Sequence, residues 1–290
     1  MNKWVLSIYF TLQRIKKDCI MMLSNIKKKF TFIVLIFFLL SSCSTVPLTG
    51  RRQIDLVSDD STISMSRQEY DKFLSSHILS NNIEQTQMVK RVGHRIQRAV
   101  EQFFAQKNMS QELKGYEWEF NLIESKEANA WSMPGGKVAV YTGILPITQD
   151  EAGLATVLGH EIAHAVAKHG DERMSQMLLS QMGGLALDLA LQQSFPQTRQ
   201  LWMGAYGLGT QLGILLPYNR IQETEADRLG LIFMAMAGYD PRKAVDFWQR
   251  MAQMKKGQAL PEFLSTHPSD TTRINNIKQL LPEALKYYRG

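Results

Sequence analysis

The stretch TVLGHEIAHAVAKHG, residues 156–170, sets two histidines four positions apart inside a run of small and apolar side chains. On an α-helix, positions i and i+4 lie one turn apart on the same face, so His160 and His164 point toward one locus. Zinc accepts imidazole nitrogens, and its catalytic sites use three protein ligands and keep a fourth position for water. Glu161 follows the first histidine directly and is placed to take a proton from that water, which completes the HExxH pattern. Val157, Leu158, Ile162, Ala163, Ala165 and Val166 carry no charge, as expected of a helix buried beside a dry site. The spacing therefore predicts a zinc helix rather than two neighbouring core histidines. Thr148 and Glu151 in TQDE read as its capping box, and Gly170 as its end.

A third ligand has to come from elsewhere. Zinc peptidases of the metzincin class would continue with Gly at 167 and His at 170, whereas this chain has Ala167 and Gly170, so that class is excluded. His169, five past His164, is expected to face away from the pair and to serve the last carbonyls of the helix. In YNRIQETEADRLG, residues 218–230, Glu223 and Asp227 again share a face, while Glu225 points elsewhere. Glu223 is the expected ligand, and Asp227 the acceptor that fixes the tautomer of a zinc histidine. Without the first motif the segment reads as a solvated acidic helix paired by Arg220 and Arg228. Arg220, Tyr218 and His267 remain open as stabilisers of an oxyanion. His267, stiffened by Pro268 in STHPSD, reads either as an occupant of the open metal position that substrate displaces or as a surface-loop histidine. His77 and His94 sit in amphipathic segments and are assigned structural roles.

Around these motifs the apolar spacing of Val89, Val92, Ile96, Val100 and Phe103 or Phe104 predicts a support helix over 83–104. YEWEFNLI, residues 116–123, alternates like a strand, and ANAW and KVAVYTG flank the turn SMPGG as a hairpin. Residues 171–216 read as helical; their glycines make a membrane span a poor reading. A further helix is expected over 219–237, with Asp240 and Pro241 starting the next. The expected fold is α+β, mostly helical, with a small sheet or hairpin packed on the active-site helix, in one domain over 65–290.

The formal charge of +6 belongs to the start of the chain: seven of 33 basic and one of 27 acidic residues lie in 1–42, leaving 26 of each beyond. A neutral body argues against nucleic acid as a partner. Lys27–Lys29, the run FTFIVLIFFLL and the small residues after it read as a signal peptide over 1–42, with Met21 or Met22 as alternative starts. LSSC resembles a bacterial lipobox, with Cys43 lipidated and residues 43–64 a tether. Ser44 then points, by resemblance to Gram-negative lipoproteins, to an outer-membrane anchor facing the periplasm. After processing a single cysteine would remain, so no disulfide is expected.

HExxH followed by ExEAD resembles the HtpX and BepA type of zinc metallopeptidases, and VPLTGRRQ, NAWSMPGGKVAVYTGIL, NRIQETEAD and FLSTHPSDTTRI extend the likeness over residues 46–280. The resemblance, to the single-domain outer-membrane lipoprotein branch, implies a zincin-like fold, one Zn2+ held by His160, His164 and Glu223, and Glu161 as base. It implies an endopeptidase acting on misfolded or stalled envelope proteins in the periplasm. It also favours Asn129 and Ala130 as an edge strand that receives extended substrate over an edge merely covered by a loop. The rival reading is a periplasmic chaperone or assembly factor with a structural zinc. A prenyl-type protease is disfavoured, because the body lacks the several spans that enclose such substrates.

Overall fold

The structure, a computed structural model, describes residues 43–192, 196–211, 215–254, 262–268 and 271–290. The expected signal peptide over 1–42 lies outside these. Two short strands, β1 (Cys43–Thr45) and β2 (Arg52–Ile54), precede helices α1 (Asp59–Ser76) and α2 (Ile83–Gln106). Strands β3 (Glu119–Ile123), β4 (Ala130–Met133) and β5 (Lys137–Tyr141) form one sheet. Helices follow: α3 (Leu145–Thr148), α4 (Glu151–Val166), α5 (His169–Ala190), α6 (Pro196–Thr210) and α7 (Leu216–Met236). The chain ends with α8 (Lys243–Gln253), α9 (Glu262–Thr266) and α10 (Thr271–Ala284). The class is α+β and mostly helical, as expected. No helix among the described residues is long and apolar enough to cross a membrane.

The expected hairpin is present. β4 pairs antiparallel with β5 from Ala130 opposite Val140 to Met133 opposite Lys137, and β3 pairs parallel with β5 on its other side. β5 is thus central and buried at all five positions, which suits the run VAVY after Lys137, whose ammonium pairs with Glu119 at 3.2 Å. β4 is left as an edge beside α4. Helix α4 is buried from Gly153 through Val166, enclosed by α2, α7, α8 and β4.

Where α4 crosses α7 the two backbones touch. A Cβ on Gly159 would stand 2.7 Å from the Gly230 carbonyl oxygen, and one on Gly230 would stand 2.8 Å from the His160 amide nitrogen. Only glycine permits such an approach. It brings the turn of α7 that carries Glu223 and Asp227 against the two histidines.

Three local expectations change. Asp150, not Thr148, caps α4: its carboxylate accepts the Gly153 N–H at 2.7 Å, whereas Thr148 is buried and donates to the Leu145 carbonyl at 3.0 Å within α3. The Asp240 side chain accepts the Arg242 N–H at 2.9 Å and α8 begins only at Lys243. The third change concerns the expected tether over 43–64, because Thr45–Gly290 form one compact unit. Val46 and Gln53 are buried, the Leu56 N–H donates to Ser175 Oγ at 3.0 Å, and α1 starts at Asp59. Pro47 and Gly50 belong to a turn closed by Gly50 N–H to Val46 O (2.9 Å) and Val46 N–H to Arg51 O (2.8 Å), so turn chemistry here marks packing rather than a linker.

Helix α4 stops at Val166, not Gly170. The chain turns through Lys168 at φ 59° and ψ 32°, a left-handed conformation uncommon outside glycine, with the ammonium held by Asp59 (2.7 Å) and Glu112 (3.1 Å). Beside this turn Asp171 is buried and its Oδ1 has no hydrogen-bond partner among the described residues; burial, with Asp55 and Asp59, pushes its carboxyl up to about 7. Between the ordinary carboxylate value and about 7 the folded chain keeps a proton that the unfolded chain has released. The Asp171 contribution to stability therefore falls as pH rises through that window and is flat above it. Asp171→Asn is expected to remove this slope and to add ~1–2 kcal/mol at pH 8, read by urea unfolding at pH 5 and 8; an unchanged slope refutes the assignment.

Candidate metal centre

Three segments converge on one point. His160 and His164 come from α4, Glu223 from α7, and His267 from the turn after α9, with one donor atom of each lying within 4.8 Å of all the others. His160 Nε2 lies 3.1 Å from His164 Nε2 and 3.4 Å from Glu223 Oε2; His164 Nε2 is 3.2 Å from Glu223 Oε1. His267 Nδ1 is 2.9 Å from Glu223 Oε1 and 3.2 Å from His160 Nε2. A tetrahedron with zinc–ligand bonds of about 2.0–2.1 Å has edges of roughly 3.3 Å, so these spacings and this nitrogen and oxygen donor set fit zinc. Glu161 stands next to the group. His267 Nε2 approaches its Oε1 to 3.3 Å without hydrogen-bond alignment, leaving that buried oxygen with no hydrogen-bond partner among the described residues.

The charges are arranged to hold a cation. Burial opposes protonation of His160, but the Asp227 and Glu223 carboxylates outweigh it and raise the ring to about 9. Burial also opposes ionisation of Glu223, yet hydrogen bonds from His160, His164 and His267 hold it far below the usual carboxylate range. His164 is held well below the ordinary histidine value by burial, and by His160 and His169, against the pull of Glu223. Burial pushes Glu161 up, against the neighbouring His267 and His160 rings.

Asp227 meets its expected partner, its Oδ1 lying 3.0 Å from His160 Nδ1. Behind it stands a residue that sequence reasoning missed. Arg273 donates to Asp227 through Nε (2.9 Å) and Nη2 (2.7 Å), reaches Glu223 Oε2 with Nη1 at 3.0 Å, and lies 3.5 Å over the Trp248 ring. Burial works against the Asp227 charge, and Arg273 with His160 keeps it below the usual carboxylate range. The signal for Arg273 lay in FLSTHPSDTTRI, five residues past the recognised Pro268, but arginine at a helix start reads as surface.

His169 corrects the expectation most directly. It opens α5 rather than closing α4, it is fully buried, and its Nδ1 lies 2.8 Å from His164 Nδ1. The left-handed Lys168 turns the chain, so helical spacing no longer fixes where residue 169 points. Glu225 does face away from Glu223, but toward His169, with Oε2 2.9 Å from Nε2.

The other candidates are placed as follows. Arg220 is exposed and lines an open cavity of about 430 Å³ with Thr49, Arg51, Ile221, Thr224, Glu225 and Arg228, away from the donor group. The side chains of Tyr218 and Cys43 lie outside those described. Asn129 accepts the Ala130 N–H through Oδ1 at 2.9 Å and receives the Tyr141 N–H on its carbonyl at 3.0 Å, fixing the start of the β4 edge. The His77 ring stacks on Phe73 and the His94 ring sits edge-on to Phe120, both remote from the donor group.

A family model described as peptidase family M48 matches residues 90–281. The mitochondrial metalloendopeptidase OMA1 of Schizosaccharomyces pombe is 38% identical over 248 residues, 82% of this chain and 66% of its own length. The mitochondrial metalloendopeptidase OMA1 of Bos taurus is 31% identical over 266 residues, 88% of this chain and 49% of its own. The beta-barrel assembly-enhancing protease of Yersinia pestis is 30% identical over 164 residues, 55% of this chain and 33% of its own. The chain spans between a third and two thirds of the length of these relatives. The matches overturn the expected outer-membrane, periplasm-facing lipoprotein: the relatives aligned with most of the chain are named mitochondrial, and the bacterial protease aligns with a smaller part. The composition of a basic and apolar stretch does not by itself say which membrane system, if any, would read it.

Proposed function

Because the chain belongs to peptidase family M48, whose members are zinc metallopeptidases, we propose that it is a zinc endopeptidase with His160, His164 and Glu223 as ligands and Glu161 as base. The observation that carries this reading is the convergence of His160, His164 and Glu223 donor atoms, 3.1–3.4 Å apart, beside a buried carboxylate. Bound there, zinc supplies a Lewis acid for the scissile carbonyl and lowers the pKa of the attacking water. Glu161 takes the proton from that water and passes it to the leaving amine, and its burial moves the carboxyl toward the range where a proton is both held and released. Asp227 accepts the His160 Nδ1–H and so keeps the Nε2 lone pair facing the donor group, while Arg273 holds Asp227 ionised.

Polypeptide substrate lies along the edge of β4 that no strand pairs among the described residues, from Asn129 and Ala130, adding a strand through main-chain hydrogen bonds. Such recognition is indifferent to side chains, which suits exposed segments of misfolded or stalled proteins and a role in their quality control. His267 gates the site. The short helix α9 before it is tied to the same edge, the Phe263 N–H donating to the Ala128 carbonyl at 3.2 Å. A strand adding there competes for that carbonyl and draws His267 out of the donor group.

One observation favours a second reading: with His267 the donors number four, the closed set of a structural zinc, which would suit an assembly factor that binds without cutting. Zinc content and casein hydrolysis of the purified chain, with and without 1,10-phenanthroline, separate the two. One zinc and chelator-sensitive cleavage are expected. One zinc without cleavage, in His267→Ala as well, selects the assembly factor. A cobalt spectrum unchanged in His267→Ala removes the gate.

A further inference from the structure

The two histidines of α4 are supported in different ways. His160 has a carboxylate on its outward nitrogen. His164 has another histidine there, and behind it a chain of contacts that leaves the region matched by the family model, residues 90–281, and ends on the turn at residues 46–51. His169 Nδ1 lies 2.8 Å from His164 Nδ1, and its other nitrogen, Nε2, lies 2.9 Å from Glu225 Oε2. Glu225 is gripped from the far side: the Thr49 hydroxyl donates to Oε1 and Arg51 Nε donates to Oε2 at 3.0 Å. Arg51 is in turn anchored by its two terminal nitrogens on Glu172, at 2.9 and 2.7 Å, and Gln222 donates to that carboxylate as well at 2.8 Å.

These contacts admit one consistent set of proton positions. A metal-binding imidazole presents a lone pair to the ion and donates its other N–H outward. His164 with Nε2 in the donor group therefore carries its proton on Nδ1 and donates it to Nδ1 of His169. That nitrogen can accept only if the His169 proton sits on Nε2, from which it donates to Glu225. Glu225 must then be a carboxylate turned toward His169, and Thr49 with Arg51 hold it in that pose. Gly50, at φ 70°, makes the turn that lets residues 49 and 51 reach the same carboxylate, and buried Val46 pins its start.

We propose that Thr49 and Arg51 are positioning residues of the zinc site, a strap that acts through Glu225 and His169 to hold His164 in the tautomer and orientation that bind the ion. The inference rests on His164 being a ligand. Docking of the strap then sets the affinity for zinc, and a segment outside the metal-binding helices becomes part of the site.

Removing Arg51 is feasible because its side chain is partly exposed, 20% against 0% for Glu172. Arg51→Gln is expected to weaken zinc binding by about 10–100-fold in chelator competition and to shift the visible spectrum of the cobalt-substituted chain. Thr49→Val moves both in the same direction by less, and Arg51→Lys recovers part of the loss. In the pair Arg51→Gln with His169→Gln the losses do not add, because both cut one line of contacts. Zinc affinity and cobalt spectrum unchanged in Arg51→Gln, or additive losses in the pair, overturn the proposal. If Arg51→Gln does not fold, Thr49→Val and Arg51→Lys decide in the same way. A wild-type chain without zinc, or His164→Ala that keeps it, refutes instead the ligand assignment on which the strap depends.

Discussion

Glu161→Gln is expected to lower kcat on casein by about 10²–10⁴-fold, with KM and the content of one zinc unchanged. The amide has the shape of the carboxylate but cannot accept a proton, so the variant removes one chemical capacity and little else. Glu161 is not in the converging donor group, which is why the metal should stay. Stability should hold or rise. The carboxylate is buried with Oε1 lacking a hydrogen-bond partner among the described residues, and a neutral amide costs less to bury than a charge. Steady-state kinetics, metal analysis and thermal unfolding of one preparation read all three. Cleavage at the wild-type rate would exclude this site as the source of hydrolysis. Loss of zinc with intact folding would move Glu161 into the ligand set.

What sequence alone made legible was whatever helical periodicity controls. His160 with His164, and Glu223 with Asp227, are pairs at i and i+4, and the spacing carried them correctly to one face each. That the two faces meet could not be read from either helix. It depends on Gly159 and Gly230, which read in sequence as two small residues among many. His169 was misplaced because one left-handed residue, Lys168, breaks the period just before it, and nothing in KHG signals that lysine will take that conformation. That residues 46–58 of the expected tether over 43–64 pack against the body was not legible for a related reason. Their Pro, Gly and Ser are as common in packed turns as in linkers, and only the buried Val46 and the carboxylates waiting for Arg51 separate the two. The location failed at another level, because a targeting address is read by a receptor and not by the fold.

Gly230→Ala is expected to cost both stability and metal. The added Cβ would lie 2.8 Å from the His160 nitrogen, 2.9 Å from the Gly159 carbonyl carbon and 3.0 Å from its oxygen. All three are backbone atoms, so no side-chain rotation relieves the clash and the helices must part. Helix α4 is buried along nearly its whole length, so it cannot yield without disturbing α2 and the sheet edge. Overpacking of this kind costs about 1–3 kcal/mol. The effect on the site follows from leverage: Glu223 sits two turns earlier on α7, and its contact with His164 at 3.2 Å leaves no slack for a shift of that helix. Zinc affinity should fall by at least about tenfold, since ligand geometry is demanding on the scale of half an ångström. Gly159→Ala should reproduce both losses from the other helix, its Cβ meeting the Gly230 oxygen at 2.7 Å. Gly204→Ala on α6, with nothing within 4 Å, is the control and should be neutral or gain up to about 1 kcal/mol from helix propensity. Wild-type melting temperature and zinc affinity in Gly230→Ala would mean that the crossing tolerates separation, and that the approach of Glu223 to the two histidines is set elsewhere.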